Sequence, residues 1–388
     1  MTVSVYPKKL NGTVEIPSSK SQLHRLLICA ALAGGAEIKI SGEISDDIAA
    51  TIDCIGELGV SCKLKTGVIC VKKIREPFEN AGFRCGESGS TLRFMMPIVG
   101  ALGYGGRFYL DDGLRKRPHD EIIRILCENG CKIADAGSEI SVSGKLAGDC
   151  FSVRGDISSQ YISGLIMALP LIGGGKITVT DGLQSADYVK LTMETVKLFG
   201  CLAAFESGNT ISVSGKYTEK FLSFTSGSDD SLAVFWRAAN MLGSDIRFEE
   251  SDHPFLFSNS SVIDGSQIPD YIPVTALTAA VGTGKTEFVN CGRLRYKESD
   301  RIKSTVNLIN NLGGKATETN DGFYVEGVSC LAGGCVNGEN DHRIVMTAAI
   351  ASCICKNPVI INGADAVKKS YPSFFEDFVA LGGAVKEV

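Results

Sequence analysis

Six glycines fall on one spacing, and that spacing restricts the fold more than any single motif does. Each of Gly59, Gly130, Gly200, Gly243, Gly313 and Gly382 closes a helical pattern, and short alternating strands follow. The steps between them are 71, 70, 43, 70 and 69 residues. Examples are "TIDCIGELGVSCKLKTGVICV", "EIIRILCENGCKIADAGSEISVSG", "TMETVKLFGCLAAFESGNTISVSG" and "KSTVNLINNLGGKATETNDGFYVEG". Glycine suits a left-handed helix C-cap. "AGSEISV" and "ESGNTISV" place turn residues between alternating apolar positions, as a hairpin requires. A period near 70 is too long for a solenoid and describes supersecondary units. The spacing predicts an α/β (α+β) chain of six units, three in each of two similar lobes.

The irregular step of 43 marks the crossing between lobes. It lies by "SFTSGSDDSLAVF", rich in Ser, Gly and Asp. We expect a first lobe of residues 19–226 and a discontinuous second lobe of residues 1–18 plus 227–388, to which the N-terminal strand "TVSVYPKKLNGTVEIP" returns. A single mixed α/β domain with chance periodicity is the weaker reading.

The formal net charge of −5 gives no global basic field. Non-specific nucleic-acid binding needs many cations on one face, so it is excluded as an expectation. Fourteen cysteines contain no Cys-x-x-Cys pair, and none of the four histidines has metal-ligand spacing to a cysteine. Cysteine usage of this kind suits a reducing compartment. The start "MTVSVYPKKLNG" has no apolar leader core, and no run approaches a membrane span. We expect a cytoplasmic, monomeric protein with small-molecule ligands and no metal.

Several helices start with hydroxyl or carboxylate caps followed by a cation. "IPSSKSQLHRLLICAAL" puts Lys20 in a first turn and Arg25 one turn later. "CGESGSTLRFMMPIVGAL" offers Ser90 or Thr91 as cap and Arg93 inside. "GDISSQYISGLIMALPL" offers Ser158 and Ser159, then Gln160. "RLRYKESDRIKSTVNLI" offers Ser299 and then Arg301, and "GENDHRIVMTAAIASCI" offers Asp341 and then Arg343. Capping explains the polar residues. It does not explain the cations, each of which costs about 0.3–1 kcal/mol beside a helix N-terminus. Taken singly, each cation reads as a solvated side chain. Their recurrence points to an anion site built from N–H groups, hydroxyls and guanidinium or ammonium groups.

Two carboxylates stand out. Asp270 lies in "SQIPDYIP", a loop stiffened by Pro269 and Pro273, and a rigid carboxylate can orient or deprotonate a hydroxyl. Its bland reading is a turn or cap. Glu298 lies in "RYKESDR" among Arg295, Lys297 and Arg301, where it can shuttle a proton or merely form a surface ion pair. "AAVGTGKTEF" is a decoy. A phosphate-binding Walker loop needs glycine where Ala279 stands, so Gly282 to Lys285 reads as a helix-to-strand turn.

Taken in order, "PSSKSQLHR", "ESGSTLR", "LRKRP", "SSQY", "IPDYIP", "RYKESDR", "NDHR" and "KKSYPSFFEDF" resemble the 5-enolpyruvylshikimate-3-phosphate (EPSP) synthase family over nearly the whole chain. The resemblance implies two lobes of three βαβαββ units each, an inside-out α/β barrel, with the active site in the interlobe cleft. It implies transfer of the carboxyvinyl group of phosphoenolpyruvate to shikimate 3-phosphate through a tetrahedral ketal, without metal or cofactor. Carried over by motif, Lys20, Asp270 and Glu298 are the implied catalytic groups. Ser21, Arg25, Ser158, Ser159, Gln160, Ser185, Tyr188, Asp270 and Lys297 are implied to hold shikimate 3-phosphate. Lys20, Gly89, Arg93, Arg117, Gln160, Arg301, Arg343 and Lys369 are implied to hold phosphoenolpyruvate. Gly89 also implies sensitivity to glyphosate. The chain departs from the common family wording at Glu87, Gly113 and Arg293, and it is short, which suggests trimmed loops. The rivals are the sister enzyme acting on UDP-N-acetylglucosamine, a non-catalytic anion binder and a nucleotide-dependent kinase. The first usually carries a loop cysteine that "DDGLRKRPHDE" lacks, and the last rests only on the failed Walker match.

Overall fold

The computed structural model describes residues 1–73, 79–206, 208–249 and 261–388. It divides into two compact units, residues 18–227 and residues 1–17 with 228–388. The chain opens with β1 (Thr2–Tyr6) and β2 (Asn11–Thr13).

The unit of residues 18–227 starts with α1 (Lys20–Leu32), β3 (Gly35–Lys39), α2 (Asp46–Glu57), β4 (Cys62–Lys65) and β5 (Val68–Lys72). It continues with β6 (Ala81–Gly86), α3 (Gly89–Leu102), β7 (Gly106–Leu110), α4 (Asp112–Arg115), α5 (Asp120–Glu128), β8 (Cys131–Asp135) and β9 (Glu139–Gly144). It ends with β10 (Cys150–Arg154), α6 (Ser159–Ala168), β11 (Gly175–Thr180), α7 (Ala186–Leu198), β12 (Cys201–Phe205), β13 (Thr210–Gly215) and β14 (Leu222–Thr225). The other unit adds α8 (Asp230–Met241), β15 (Asp245–Arg247), β16 (Val262–Asp264), α9 (Ile272–Ala280) and β17 (Lys285–Val289). Then come α10 (Arg301–Asn311), β18 (Lys315–Glu318), β19 (Phe323–Glu326), β20 (Gly334–Asn337), α11 (His342–Ala351), β21 (Val359–Asn362), α12 (Phe374–Ala380) and β22 (Ala384–Glu387).

One sheet pattern recurs. The orders are β14–β3–β5–β4, β6–β7–β9–β8, β10–β11–β13–β12, β16–β17–β19–β18 and β20–β21–β1–β22. In each, the first pair is parallel and the next two are antiparallel. Two of the five are closed by distant segments. β14, the last strand of its unit, completes the sheet of β3, β4 and β5. β1, the first strand of the chain, pairs with both β21 and β22. Each unit has its own apolar core, one running from Leu23 to Val213 and the other from Val3 to Leu381.

Five of the six periodic glycines follow the second helix of their repeat, all with positive φ. Gly243 does not. It follows α8, and the next strand, β15, pairs in parallel with β2. α8 therefore takes the place of the first helix in its repeat, and the reading of six equivalent glycines is corrected at this position. Between the second parallel strand of a repeat and the start of the next sheet, other repeats use residues 40–80, 111–149, 181–221 and 290–333. The fourth has only residues 248–261 in that interval, of which 250–260 lie outside the described residues. The irregular step thus comes from a shortened fourth repeat. No helix among the described residues is long and apolar enough to cross a membrane.

Local sequence also sets a helix crossing that matters below. Pro97 lies inside α3 and has no N–H for the carbonyl of Arg93 one turn earlier. Gly164 of α6 packs on that carbonyl, where an added Cβ would stand only 2.4 Å from the oxygen. The close approach brings the first turns of α3 and α6 together.

Val388 N–H donates to the Thr2 carbonyl, so the chain ends meet across the β1–β22 pair. A circular permutant that joins them by a short linker and opens the chain after Gly227 makes both units contiguous in sequence. We expect it to fold with a thermal midpoint within about 5 °C of the parent, since a change of about 1 kcal/mol moves a domain of this size by roughly 2–4 °C. Circular dichroism melting checks this. A permutant that remains unfolded would sink it.

Candidate active site

In the unit of residues 18–227, the candidate groups collect at the starts of α1, α2, α3, α6 and α7. Ser19 caps α1 by accepting from Gln22 N–H. Lys20 then donates to Asp47 Oδ2 at 2.7 Å, with both side chains about one-seventh exposed. Asp47 sits in the first turn of α2, where a carboxylate suits the helix dipole. Ser21 lends its carbonyl to Arg25 Nη1 at 2.6 Å. Arg25 is buried and also donates to Thr192 Oγ1 (2.6 Å), Ser163 Oγ (3.2 Å) and the Tyr188 carbonyl (3.0 Å). It therefore ties α1 to α6 and α7. Burial lowers its pKa to about 10, which leaves it cationic at neutral pH.

Across the α3–α6 crossing, Arg93 Nη1 donates to Gln160 Oε1 at 2.7 Å, and Gln160 Nε2 donates to Ser90 Oγ at 2.8 Å. Arg93 also reaches the Pro118 carbonyl at 3.1 Å, which Tyr161 Oη shares at 2.6 Å. Ser158 caps α6, with Ser159 buried behind it. The Arg117 guanidinium lies against Gly89, where an added Cβ would stand 2.8–3.0 Å from its atoms. Two departures from the family wording turn out to be neighbours. Gly113 N–H donates to Glu87 Oε1 at 2.9 Å, and an added Cβ at Gly113 would meet Glu87 Oε2 at 2.1 Å. Ser185, before α7, adopts left-handed φ of 52°, an uncommon backbone for a serine. His119 is pushed down to about 4 by burial, with Arg93 adding to the effect, so it is a neutral neighbour of these cations.

In the other unit, one guanidinium organises the candidates. Arg301, only 1% exposed, holds Asp341 Oδ2 through Nε at 2.7 Å, Asp270 Oδ1 through Nη1 at 2.7 Å and Glu298 Oε2 through Nη2 at 2.5 Å. The three carboxylates hold it far above the usual arginine range in spite of burial. Asp341 caps α11 by accepting from Arg343 N–H at 2.9 Å, and Ser299 Oγ donates to its other oxygen at 3.1 Å. Arg343 reaches back to the carbonyl and hydroxyl of Ser231 at the start of α8. Lys369 donates to the Asn340 carbonyl at 2.8 Å, next to Asp341. Lys297 is brought down to about 7. Desolvation is the largest cause; Asp270 opposes it, and Arg293 and Arg301 reinforce it. Asp270, Glu298, Arg301 and, through Asp341, Arg343 thus form one bonded cluster; Lys369 is anchored at the residue before Asp341, and Lys297 lies within electrostatic reach of Asp270, Glu298 and Arg301.

Two expected caps are corrected. Ser88, not Ser90 or Thr91, caps α3, and Asp300, not Ser299, caps α10. Ser90 and Ser299 serve instead as partners to Gln160 and Asp341. The sequence reading missed Asp47 as the partner of Lys20 and Ser231 as the partner of Arg343. It took Asp341 for a helix cap, and that residue is also the buried counter-ion of Arg301. These pairs span 27, 112 and 40 residues, beyond the reach of local patterns. Among the described residues no group of three or more His, Cys, Asp or Glu side chains could hold a metal ion.

Comparison with solved structures places the fold among enolpyruvyl transferases. An EPSP synthase from Acinetobacter baumannii matches with a TM-score of 0.79 at 23% identity, covering both chains fully. The enolpyruvyl transferase NikO from Streptomyces tendae matches with a TM-score of 0.77 at 15% identity over 100% of this chain and 98% of that one. The family model described as EPSP synthase (3-phosphoshikimate 1-carboxyvinyltransferase) matches residues 5–256 and 257–378. The 3-phosphoshikimate 1-carboxyvinyltransferase of Clostridium beijerinckii is 37% identical over 427 residues, 99% of this chain and 98% of that protein. Its counterpart in Clostridioides difficile is 36% identical over 100% of this chain and 98% of that protein. The chain belongs to the EPSP synthase family. The matched stretches exceed its own 388 residues, in keeping with the shortened fourth repeat.

Removing one partner from a buried ion pair leaves a charge uncompensated. We expect Asp341→Ala to cost about 3–5 kcal/mol in urea unfolding. Asp270→Ala, at a carboxylate 17% exposed, should cost clearly less. Equal losses would mean that Asp341 is not the counter-ion on which the cluster rests.

Proposed function

We propose that the chain transfers the carboxyvinyl group of phosphoenolpyruvate to the 5-hydroxyl of shikimate 3-phosphate and releases phosphate. Membership of the family over the whole chain supports this reading. The observation that carries it is the pair of carboxylates, Asp270 and Glu298, held on one buried guanidinium beside Lys297. The addition must take a proton from the hydroxyl and deliver one to the methylene carbon. The elimination must remove a methyl proton as phosphate leaves. Two fixed carboxylates and a lysine poised near neutrality suit these transfers.

Asp270 is the proposed base toward the acceptor hydroxyl, with Lys297 gripping the ring oxygens. Glu298 exchanges the proton at the methylene, with Lys20 as the second participant. Lys20, Gly89, Arg93, Arg117, Gln160, Arg301, Arg343 and Lys369 hold the phosphate and carboxylate of phosphoenolpyruvate and stabilise charge at the tetrahedral centre. Arg301 uses four of its five N–H groups on carboxylates, so most of its share is to position Asp270 and Glu298. Ser21, Arg25, Ser158, Ser159, Gln160, Ser185 and Tyr188 hold shikimate 3-phosphate. Arg25 acts mainly by fixing Ser21 and the Tyr188 backbone. We take the enzyme to be a cytoplasmic monomer; its fourteen cysteines are all free, which suits a reducing compartment.

Phosphate release from phosphoenolpyruvate should depend on shikimate 3-phosphate and not on UDP-N-acetylglucosamine. Release with the second acceptor alone would overturn the assignment. In Gly89→Ala the new methyl displaces the Arg117 guanidinium. We expect the KM for phosphoenolpyruvate and the inhibition constant for glyphosate both to rise at least about tenfold, while kcat changes less. Steady-state kinetics with glyphosate as a competitor reads both.

At pH 8, Lys297, with its pKa near 7, is mostly neutral in the free enzyme. Binding an anion raises the pKa of a facing ammonium, so shikimate 3-phosphate should draw in close to one proton at this pH. Calorimetry in buffers of different ionisation enthalpy measures the uptake. Lys297→Met should abolish it, and uptake that persists in the variant would exclude Lys297 as its source.

A further inference from the structure

A row of buried hydroxyls crosses the core of the unit of residues 18–227, and none of the roles above accounts for it. His24 Nδ1 lies 2.7 Å from Thr51 Oγ1, Thr51 Oγ1 lies 2.7 Å from Thr91 Oγ1, and Thr91 Oγ1 lies 2.7 Å from Ser88 Oγ. His24, Thr51 and Thr91 are 0% exposed and Ser88 is 1% exposed. Polar groups are costly in such a place unless their hydrogen bonds are made. A row of methyl groups would pack there at less risk. The row also joins three separate helices. His24 is on α1, Thr51 on α2 and Thr91 on α3, and Ser88 is the cap of α3.

What the row touches gives it a purpose. The Asp47 carbonyl accepts from Thr51 Oγ1 at 3.4 Å and from Thr91 Oγ1 at 3.5 Å, so the first turn of α2 is gripped from its own helix and from α3. The carboxylate of that same Asp47 holds the Lys20 ammonium at 2.7 Å. Lys20 and His24 stand four residues apart on α1, on one face of the helix. α1 therefore supplies both the cation and the anchor from which the position of its counter-ion is set. At the far end, Ser88 Oγ accepts from Thr91 N–H at 3.3 Å and so fixes the turn that carries Gly89, Ser90 and Arg93.

We propose that His24, Thr51 and Thr91 are positioning residues that hold Asp47, and through it Lys20, in register with the first turn of α3. His24 Nδ1 meets Thr51, and each threonine hydroxyl shares its one proton between the next oxygen of the row and the more distant Asp47 carbonyl. Phe94 packs edge-on to the His24 ring, with centroids 6.3 Å apart and planes at 85°, and keeps the ring from turning. The inference rests on the functional reading above, in which Lys20 faces the reacting centre. A displacement of about 1 Å at such a group can cost up to ~10²-fold in rate.

Thr51→Val removes the hydroxyl at nearly constant shape, and Thr51→Ser keeps it. We expect Thr51→Val to lose about tenfold in kcat while the Kd for shikimate 3-phosphate measured alone stays within about twofold. Thr51→Ser should restore most of the rate. In an Asp47→Asn background, Thr51→Val should add less than about twofold, because the link it breaks no longer leads anywhere. Wild-type kcat in folded Thr51→Val, or an undiminished loss in the Asp47→Asn background, would overturn the proposal. Should Thr51→Val fail to fold, His24→Asn and His24→Phe take its place, the first keeping a hydrogen-bonding group and the rate, the second losing both. Wild-type protein that releases no phosphate would sink the functional reading without touching the relay. The relay is then read from acylation of the Lys20 amine, followed by mass spectrometry. Faster labelling in Thr51→Val supports it and an unchanged rate overturns it.

Discussion

A guanidinium sealed from water beside three carboxylates is the constraint on which the candidate cluster of the second unit depends. Arg301 cannot be desolvated alone, and its three carboxylates compensate its buried charge. Its fork reaches a loop before α9, the turn before α10 and the cap of α11 at once. Three segments far apart in sequence therefore have to arrive together. Arg343 and Lys369, both anchored beside Asp341, bring further positive charge to the cluster. The desolvation that keeps Arg301 committed to its partners also drives Lys297 toward neutrality. The ion cluster and the lowered basicity of Lys297 thus share one cause.

The candidate groups of the unit of residues 18–227 follow a different physics. Its cations meet neutral acceptors more than carboxylates. Arg25 donates to hydroxyls and carbonyls, and Arg93 to an amide and a carbonyl. Such acceptors orient a guanidinium without cancelling its charge, so positive potential is kept at the helix starts. Glu87 and Gly113 show how a family pattern can shift in pairs. The carboxylate occupies the space that a side chain at position 113 would need and takes up the N–H exposed there. Each departure looks arbitrary alone, and together they fill one volume.

The fold was legible in the sequence wherever its physics is local. Helix followed by left-handed glycine followed by hairpin repeats four times because each step needs the same backbone geometry, and after Gly382 the single strand β22 pairs with β1 instead. Gly243 misled because a glycine after a first helix and one after a second helix answer the same local demand. Only the pairing of β15 with β2, more than 230 residues apart, tells them apart. Capping positions slipped by one to three residues at α3 and α10, since neighbouring Ser, Thr and Asp side chains compete for the same N–H groups. The cations at helix starts could be picked out because they run against the dipole. Asp47 could not, because a carboxylate in a first turn is what the dipole favours, and its tie to Lys20 spans three turns of helix and a strand. The buried row from His24 to Ser88 was hidden for a related reason. Serine and threonine carry no sequence signature that separates a core hydrogen bond from an exposed one.

The position of β1 has a consequence for the order in which the molecule can be made. β1 is synthesised long before its two neighbours, β21 and β22. The unit of residues 18–227 holds all of its own strands and can close while the remainder is still being translated. β1, with Val3 and Val5 destined for the core, must wait unpaired until β21 and β22 have been made. Completion of the second unit is thereby coupled to synthesis of these two strands, and a polypeptide cut short before them would leave a central strand without either neighbour.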